Sequence, residues 1–158
     1  MKVSVIIPFY NGAGTLEWSI RSVTHQRFRN WELILVDDGS VDEAASRVAQ
    51  SHSHEATVIR QDNRGVAEAI NTGMQHASGD AILMLSGDDW LDPGFLEETV
   101  KVLEQNPEVG IVSTDMHVFT EESDAIEATL TTSLDTEIWT NNHSGQLSCT
   151  SRIVSTSR

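Results

Sequence analysis

Lysine is almost absent from this 158-residue chain. Lys2 and Lys101 are its only two, and with arginine the basic residues number 10 against 24 acidic ones. The formal charge of −14 argues against a nucleic-acid partner, because phosphate backbones are held by Lys and Arg. It also means that an anionic ligand needs a metal ion or a local positive group. An acidic, lysine-poor surface fits the ordinary balance of a cytoplasmic protein or an adaptation to high salt, where charge maintains solubility, and the second is the preferred reading. Cysteine is scarcer still: Cys149 has no internal disulfide partner, which agrees with a reducing compartment, and it reads as a structural or incidental thiol. Long apolar runs are missing. The longest, around 3–7 and 33–36, have strand length, so no transmembrane segment is expected. The N-terminus Met1-Lys2-Val3-Ser4 lacks the apolar stretch and cleavage site of a secretion signal, which makes the cytoplasm the expected location. None of the six histidines falls in zinc-binding spacing.

What is present reads as alternating strands and helices. Val3 to Pro8, Trp31 to Val36, Thr57 to Arg60, Ala81 to Leu85 and Val109 to Val118 read as strands. Between them, Gly14 to Gln26, Asp42 to Ser51, Gly65 to Ala77 and Pro93 to Gln105 carry apolar residues at helical spacing. Val48 and Ala45 are expected to face inward on the second helix, and Ala69, Ile70 and Met74 on the third. This order implies an α/β fold with a mostly parallel sheet and helices on both faces. The expected division is an α/β domain at 1–118 and a partial C-terminal segment at 119–158. In that segment, Ala125 to Thr132 and Glu137 to Thr140 could be short strands, and Asn141 to Arg158 reads as loop.

In such sheets ligands bind beyond the carboxyl ends of the strands. Three polar clusters lie there: Pro8-Phe9-Tyr10-Asn11, Asp37-Asp38-Gly39-Ser40 and Gly87-Asp88-Asp89. Gly12-Ala13-Gly14 suggests a dinucleotide fingerprint with Asp37 or Asp38 as its ribose-binding acid. However, Glu17 takes the third glycine position, where an anion would face the pyrophosphate. The turn after the second strand offers Ser40 as N-cap and Asp42 as a favourable first-turn charge, which leaves two adjacent carboxylates unexplained. A carboxylate there can accept a uracil imide N–H or a ribose hydroxyl. Asp88 and Asp89 repel each other by about 4 kcal/mol at 4 Å and an effective dielectric of 20, unless a divalent cation lies between them. Mg²⁺ and Mn²⁺ favour such hard oxygens. A solvated turn capping the next helix is the plainer alternative.

Five segments, in order, carry a resemblance. They are V-S-V-I-I-P-F-Y-N from Val3, L-x-x-S-I-x-S-V-x-x-Q from Leu16, and W-E-L-I-L-V-D-D-G-S-V-D from Trp31. The other two are N-R-G-V-A from Asn63 with Asn71-Thr72-Gly73, and the stretch from Gly79-Asp80 to Asp89. Together, over residues 2–115, they resemble the family 2 inverting glycosyltransferases, which have the GT-A fold. The resemblance implies transfer of a sugar from a nucleoside diphosphate-sugar, UDP-linked, to a saccharide, lipid or protein acceptor hydroxyl, with inversion and with Mg²⁺ or Mn²⁺. By position, Pro8, Phe9, Tyr10, Asn11, Asp37, Asp38, Gly65 and Asp88 would line or hold the nucleotide, and Asp88 and Asp89 the metal. Two departures stand out. Ser86 occupies the first carboxylate of the family's Asp-x-Asp-Asp pattern, which implies weaker metal binding. The family's acceptor platform and catalytic base, usually a Glu-Asp pair, match nothing in 120–158. Glu121-Glu122 comes too early, and Asp124 and Asp135 lack the surrounding pattern, so the fold is expected to be truncated on its acceptor side. A non-catalytic nucleotide-sugar-binding module is the alternative reading.

Overall fold

A computed structural model describes residues 1–114 and the backbone of residues 134–141 and 147–155. The chain falls into two compact units, 1–97 and 98–158. The first unit contains β1 (Val3–Phe9), α1 (Ala13–Thr24), β2 (Trp31–Asp37), α2 (Glu43–Ser51), β3 (Ala56–Arg60), α3 (Val66–His76) and β4 (Ala81–Met84). Its strands form one sheet in the order β3-β2-β1-β4, with every pairing parallel. β1 and β2 run in register from Val3 opposite Trp31 to Phe9 opposite Asp37, so their carboxyl ends finish side by side.

Residues 3–7 are all buried, as expected of a strand covered on both faces. One face packs Ile6, Ile34 and Val36 against Ala69 of α3, with Ile59 and Ala77 at the margin. The alternating residues Val5, Ile7, Leu33 and Leu35 turn to the other face and are equally buried. α1 contributes Leu16, Ile20 and Val23, none of them exposed. Each such burial stabilises by about 2 kcal/mol. That stripe therefore holds α1 in place, since an isolated 12-residue helix with β-branched residues is marginal in water.

Local details depart from the sequence reading for physical reasons. α2 is capped by Asp42, whose side chain accepts the Ala44 N–H at 2.8 Å. Ser40 is already engaged: its N–H goes to Asp37 and its hydroxyl accepts from the Asn11 N–H. On α2 the buried pair is Ala45 and Ala49, with Val48 half-buried. On α3, Gly73 lies against the sheet, where any Cβ would collide with Ile6, and Met74 is exposed instead.

α4 (Phe95–Gln105) begins two residues beyond Pro93 and crosses into the second unit. There β5 (Val109–Thr114), β6 (Leu134–Asn141) and β7 (Leu147–Ser155) form an antiparallel sheet in that order. Val102 and Val109 make a small core with Leu103 and Val112. β5 thus pairs with β6 and does not extend the parallel sheet. The stretch 147–155, read as loop, is a strand: its β-branched Thr150, Ile153 and Val154 suit a ladder once β6 supplies a partner. Ala125 to Thr132, Glu121, Glu122 and Asp124, and the side chain of Asp135, lie outside the described residues. Among the described residues no helix is long and apolar enough to cross a membrane.

A polar cluster closes the amino ends of the strands. The Glu32 carboxylate accepts from Lys2 Nζ at 2.7 Å, Ser4 Oγ at 2.5 Å and the Ser78 N–H at 2.6 Å. Burial alone would raise its pKa, but these donors outweigh burial and lower it to about 2. A depressed carboxyl contributes stability above its unfolded pKa and loses it as pH falls toward the folded value. The wild type should therefore exceed Glu32→Gln by about 2 kcal/mol at pH 7, with the gap closing between pH 4.5 and pH 2. Urea unfolding at both ends of that window checks it, and a gap independent of pH would contradict the assignment.

Candidate functional site

The carboxyl end of β1 is shaped by two consecutive left-handed residues, Asn11 (φ 60°) and Gly12 (φ 77°). They turn the chain from strand into α1, which opens at Gly12 without a side-chain cap, and the Leu16 N–H donates to the Gly12 carbonyl. A non-glycine residue rarely adopts this conformation. Asn11 keeps it because its Oδ1 accepts two N–H groups, from Val41 at 3.0 Å and Asp42 at 2.9 Å. Its own N–H donates to Ser40 Oγ at 2.8 Å. These bonds fasten the β1 loop to the entry of α2. Asn11→Ala keeps the strain, removes both acceptor bonds and should cost about 2 kcal/mol. Asn11→Asp, which retains the acceptors, should lose less; chemical denaturation of the two variants would decide, and equal losses would refute the role.

The two carboxylates ending β2 go separate ways. Asp37 accepts from the Ser40 N–H at 2.8 Å, Ser46 Oγ at 2.7 Å and Arg60 Nη1 at 2.9 Å. Burial would raise its pKa, but the Ser46 and Ser40 bonds and the Arg60 charge keep it below the ordinary value. Asp37 is thus committed to α2 and β3. Asp38, 4% exposed, receives Gln61 Nε2 at 2.8 Å, the Arg64 N–H at 2.9 Å and the Gly65 N–H at 2.8 Å. Here too burial works upward, and the Arg64, Gln61 and Gly65 bonds outweigh it, leaving the carboxyl ionised. Thr72 of α3 donates to Gln61 Oε1 at 2.6 Å, so the Asp38 partner is itself held. Directly after them, Gly39 (φ 73°) lets this segment approach 61–63 closely; a Cβ would stand 2.7 Å from the Asn63 nitrogen.

The third wall is the turn after β4. The Leu85 N–H donates to the Ile6 carbonyl, and the Asp89 N–H to the Ser86 carbonyl. Ser86 Oγ donates to Asp88 Oδ1 at 2.5 Å. A Cβ on Gly87 would lie 3.1 Å from Phe9 Cβ, so the turn fits tightly against β1.

These loop tips enclose one open cavity of about 330 Å³. Of the eight residues assigned to the nucleotide by resemblance, Pro8, Phe9, Tyr10, Asn11, Asp38 and Asp88 line it. Asp37 and Gly65 do not, and Asp89, assigned to the metal, is not part of the lining either. Gly12, Thr15, Val66, Ala69, Ser86 and Gly87 complete the wall. Thr15 and the pair Val66 and Ala69 were missed; their signal was position, in the first turn of a helix that follows a strand end. The lining contains no Lys or Arg. Asp38 is already met by three donors, so Asp88 is the lining carboxylate open to a cation. With the neighbouring Asp89 it offers hard carboxylate oxygens that suit Mg²⁺ or Mn²⁺. Among the described residues no three His, Cys, Asp or Glu side chains gather around one point, so side chains here would supply only part of a cation's oxygen shell and water or a bound molecule the rest.

Residues 4–152 match the family model described as Glycosyl transferase family 2. EpsE of Bacillus subtilis strain 168 is 40% identical over 124 residues, covering 76% of this chain and 45% of EpsE. Among solved structures, the mannosyltransferase PcManGT of Pyrobaculum calidifontis, in complex with GDP-Man and Mn²⁺, superposes with a TM-score of 0.64 at 30% identity. That match covers 74% of this chain and 36% of PcManGT. S. aureus TarS 1–349 in complex with UDP-GlcNAc also gives 0.64, at 18% identity over 84% of this chain and 39% of TarS, a likeness of fold. The chain spans less than half the length of each.

Proposed function

The chain belongs to glycosyl transferase family 2, and from that membership we propose that it forms the donor-binding part of an enzyme that moves a sugar from a nucleoside diphosphate-sugar to an acceptor hydroxyl. The mostly parallel α/β sheet with its helices is the GT-A fold of its solved relatives. The observation that carries the reading is the shared cavity: Asp38 and Asp88, 50 positions apart, line the same space at the carboxyl ends of β1, β2 and β4.

In this reading the base and ribose lie along Pro8, Phe9, Tyr10 and Asp38, and the diphosphate lies toward Asp88. Asp38 has three of its acceptor positions filled by N–H donors, leaving room for one more donor from a uracil imide or a ribose hydroxyl. Asp88, with Asp89, would hold Mg²⁺ or Mn²⁺. When bound, the cation neutralises charge that develops on the departing nucleoside diphosphate. Ser86 fixes one Asp88 oxygen, and the tight seat of Gly87 against Phe9 keeps the turn in place. Attack by the acceptor from the face opposite the leaving group inverts the anomeric centre. No described residue is assigned as the base that deprotonates the acceptor.

Calorimetric titration of the chain with UDP-, GDP- and dTDP-sugars and with NAD⁺, each with and without Mn²⁺, tests the reading. UDP-sugars should bind only with the metal, and NAD⁺ should not bind. Binding of NAD⁺ in preference to every nucleotide-sugar would overturn it.

A further inference from the structure

The Ser86 hydroxyl, where the family pattern has a carboxylate, has a definite job in this fold. Its Oγ donates to Asp88 Oδ1 at 2.5 Å, inside the range of a charge-assisted O–H···O⁻ bond. Both residues line the cavity, and the turn that carries them is pinned on three sides. The Leu85 N–H holds its start to Ile6, the Asp89 N–H closes it onto the Ser86 carbonyl, and Gly87 is seated against Phe9 and the Pro8 carbonyl. A hydroxyl on one oxygen of a carboxylate restricts rotation of the group and leaves the other oxygen fully open. It also spares the turn a third negative charge beside Asp88 and Asp89, whose mutual repulsion no basic side chain of the lining relieves.

We propose, building on the donor-binding reading above, that Ser86 is a positioning residue for the cation. It fixes Asp88 so that one carboxylate oxygen faces the metal, and the resulting ligand set is too sparse to retain a cation without the diphosphate. The cation is therefore taken up together with the nucleotide. The third carboxylate of the family pattern would give the protein its own hold on metal; the serine exchanges that hold for an oriented, less charged site.

Mn²⁺ binding by the full 158-residue chain, followed by water-proton relaxation with and without saturating UDP, tests this. Wild type should bind Mn²⁺ at least about tenfold more tightly with UDP than alone. Ser86→Ala should lose about tenfold in Mn²⁺ affinity with UDP present, as for other outer-shell partners of a metal ligand. Ser86→Thr, which keeps the hydroxyl, should stay within about twofold of wild type. Melting curves without ligand confirm that the variants fold; Ser86→Thr supplies the positioning readout should Ser86→Ala not fold. Ser86→Ala equal to wild type, or Ser86→Thr as weak as alanine, overturns the positioning role. Mn²⁺ held equally well without UDP overturns joint uptake. A wild type that binds neither Mn²⁺ nor UDP defeats the donor-binding reading itself, a distinct result.

Discussion

Asp88→Asn is expected to weaken Mn²⁺-dependent UDP binding about a hundredfold, equivalent to about 2.7 kcal/mol. The size follows from what surrounds the residue. The cavity lining has no basic side chain, so nothing else in it offsets two phosphate charges. The other lining carboxylate, Asp38, is occupied by Gln61, Arg64 and Gly65. Asparagine keeps the shape, and its carbonyl oxygen can still accept from Ser86, so what is removed is the charge. A divalent cation held by Asp88 would contribute several kcal/mol to diphosphate binding, and Asp89 would recover part of it in the variant. Calorimetry at saturating Mn²⁺ gives the affinity directly. In the same variant, the rise in melting temperature that UDP and Mn²⁺ produce together should largely vanish. An unchanged affinity would remove Asp88 from the site.

Asp38→Ala should act on stability before any ligand is added, lowering it by about 3 to 4 kcal/mol. Three donors converge on this buried carboxylate: a side-chain amide and two consecutive backbone N–H groups. Alanine leaves all three without an acceptor in a place that is 4% exposed. Each buried unsatisfied donor costs about 1–3 kcal/mol, and water entering the space restores some of that. For a chain of this size the melting temperature should drop by about 10 °C. Asp37→Ala, at a site that is 2% exposed, strands only one fixed backbone N–H, that of Ser40; the Ser46 hydroxyl and the half-exposed Arg60 guanidinium can turn to other acceptors, so its cost should be smaller. If the order of the two losses were reversed, the division of labour between the adjacent carboxylates would be wrong.

That division shows where sequence reading stops. The apolar runs of β1 and β2 and the Leu16, Ile20, Val23 spacing of α1 identify a doubly covered parallel sheet, because burial on both faces favours apolar residues over consecutive positions. The clustering of Asp38 and Asp88 follows from the rule that ligands gather beyond strand ends. Which of Asp37 and Asp38 faces the cavity does not follow. Neighbouring strand residues point to opposite faces, and one position of register decides. The cap of α2 was hidden for a similar reason: Ser40 has the better local signal, but Asn11, 29 residues earlier, uses its hydroxyl. Gly73 is inside α3 and Met74 outside because Ile6 fills the available depth, which only packing reveals. β7 depends on a partner strand, and Ser and Thr carry no local signal strong enough to announce it.

The strand order β3-β2-β1-β4 has an implication for how such a pocket can diversify. Sheet growth runs outward from β1 through β2 to β3, then reverses to place β4 on the opposite flank. Where winding changes direction, the connections after β1 and β4 lead to different helices, α1 and α4, so the crevice is a product of connectivity as well as of its side chains. Residues that maintain the scaffold, such as Gly39, are thus separable from exposed ones that only line the cavity, such as Tyr10 and Val66. If the cavity takes a sugar donor as proposed, exchanging the latter would change the donor with the framework left intact.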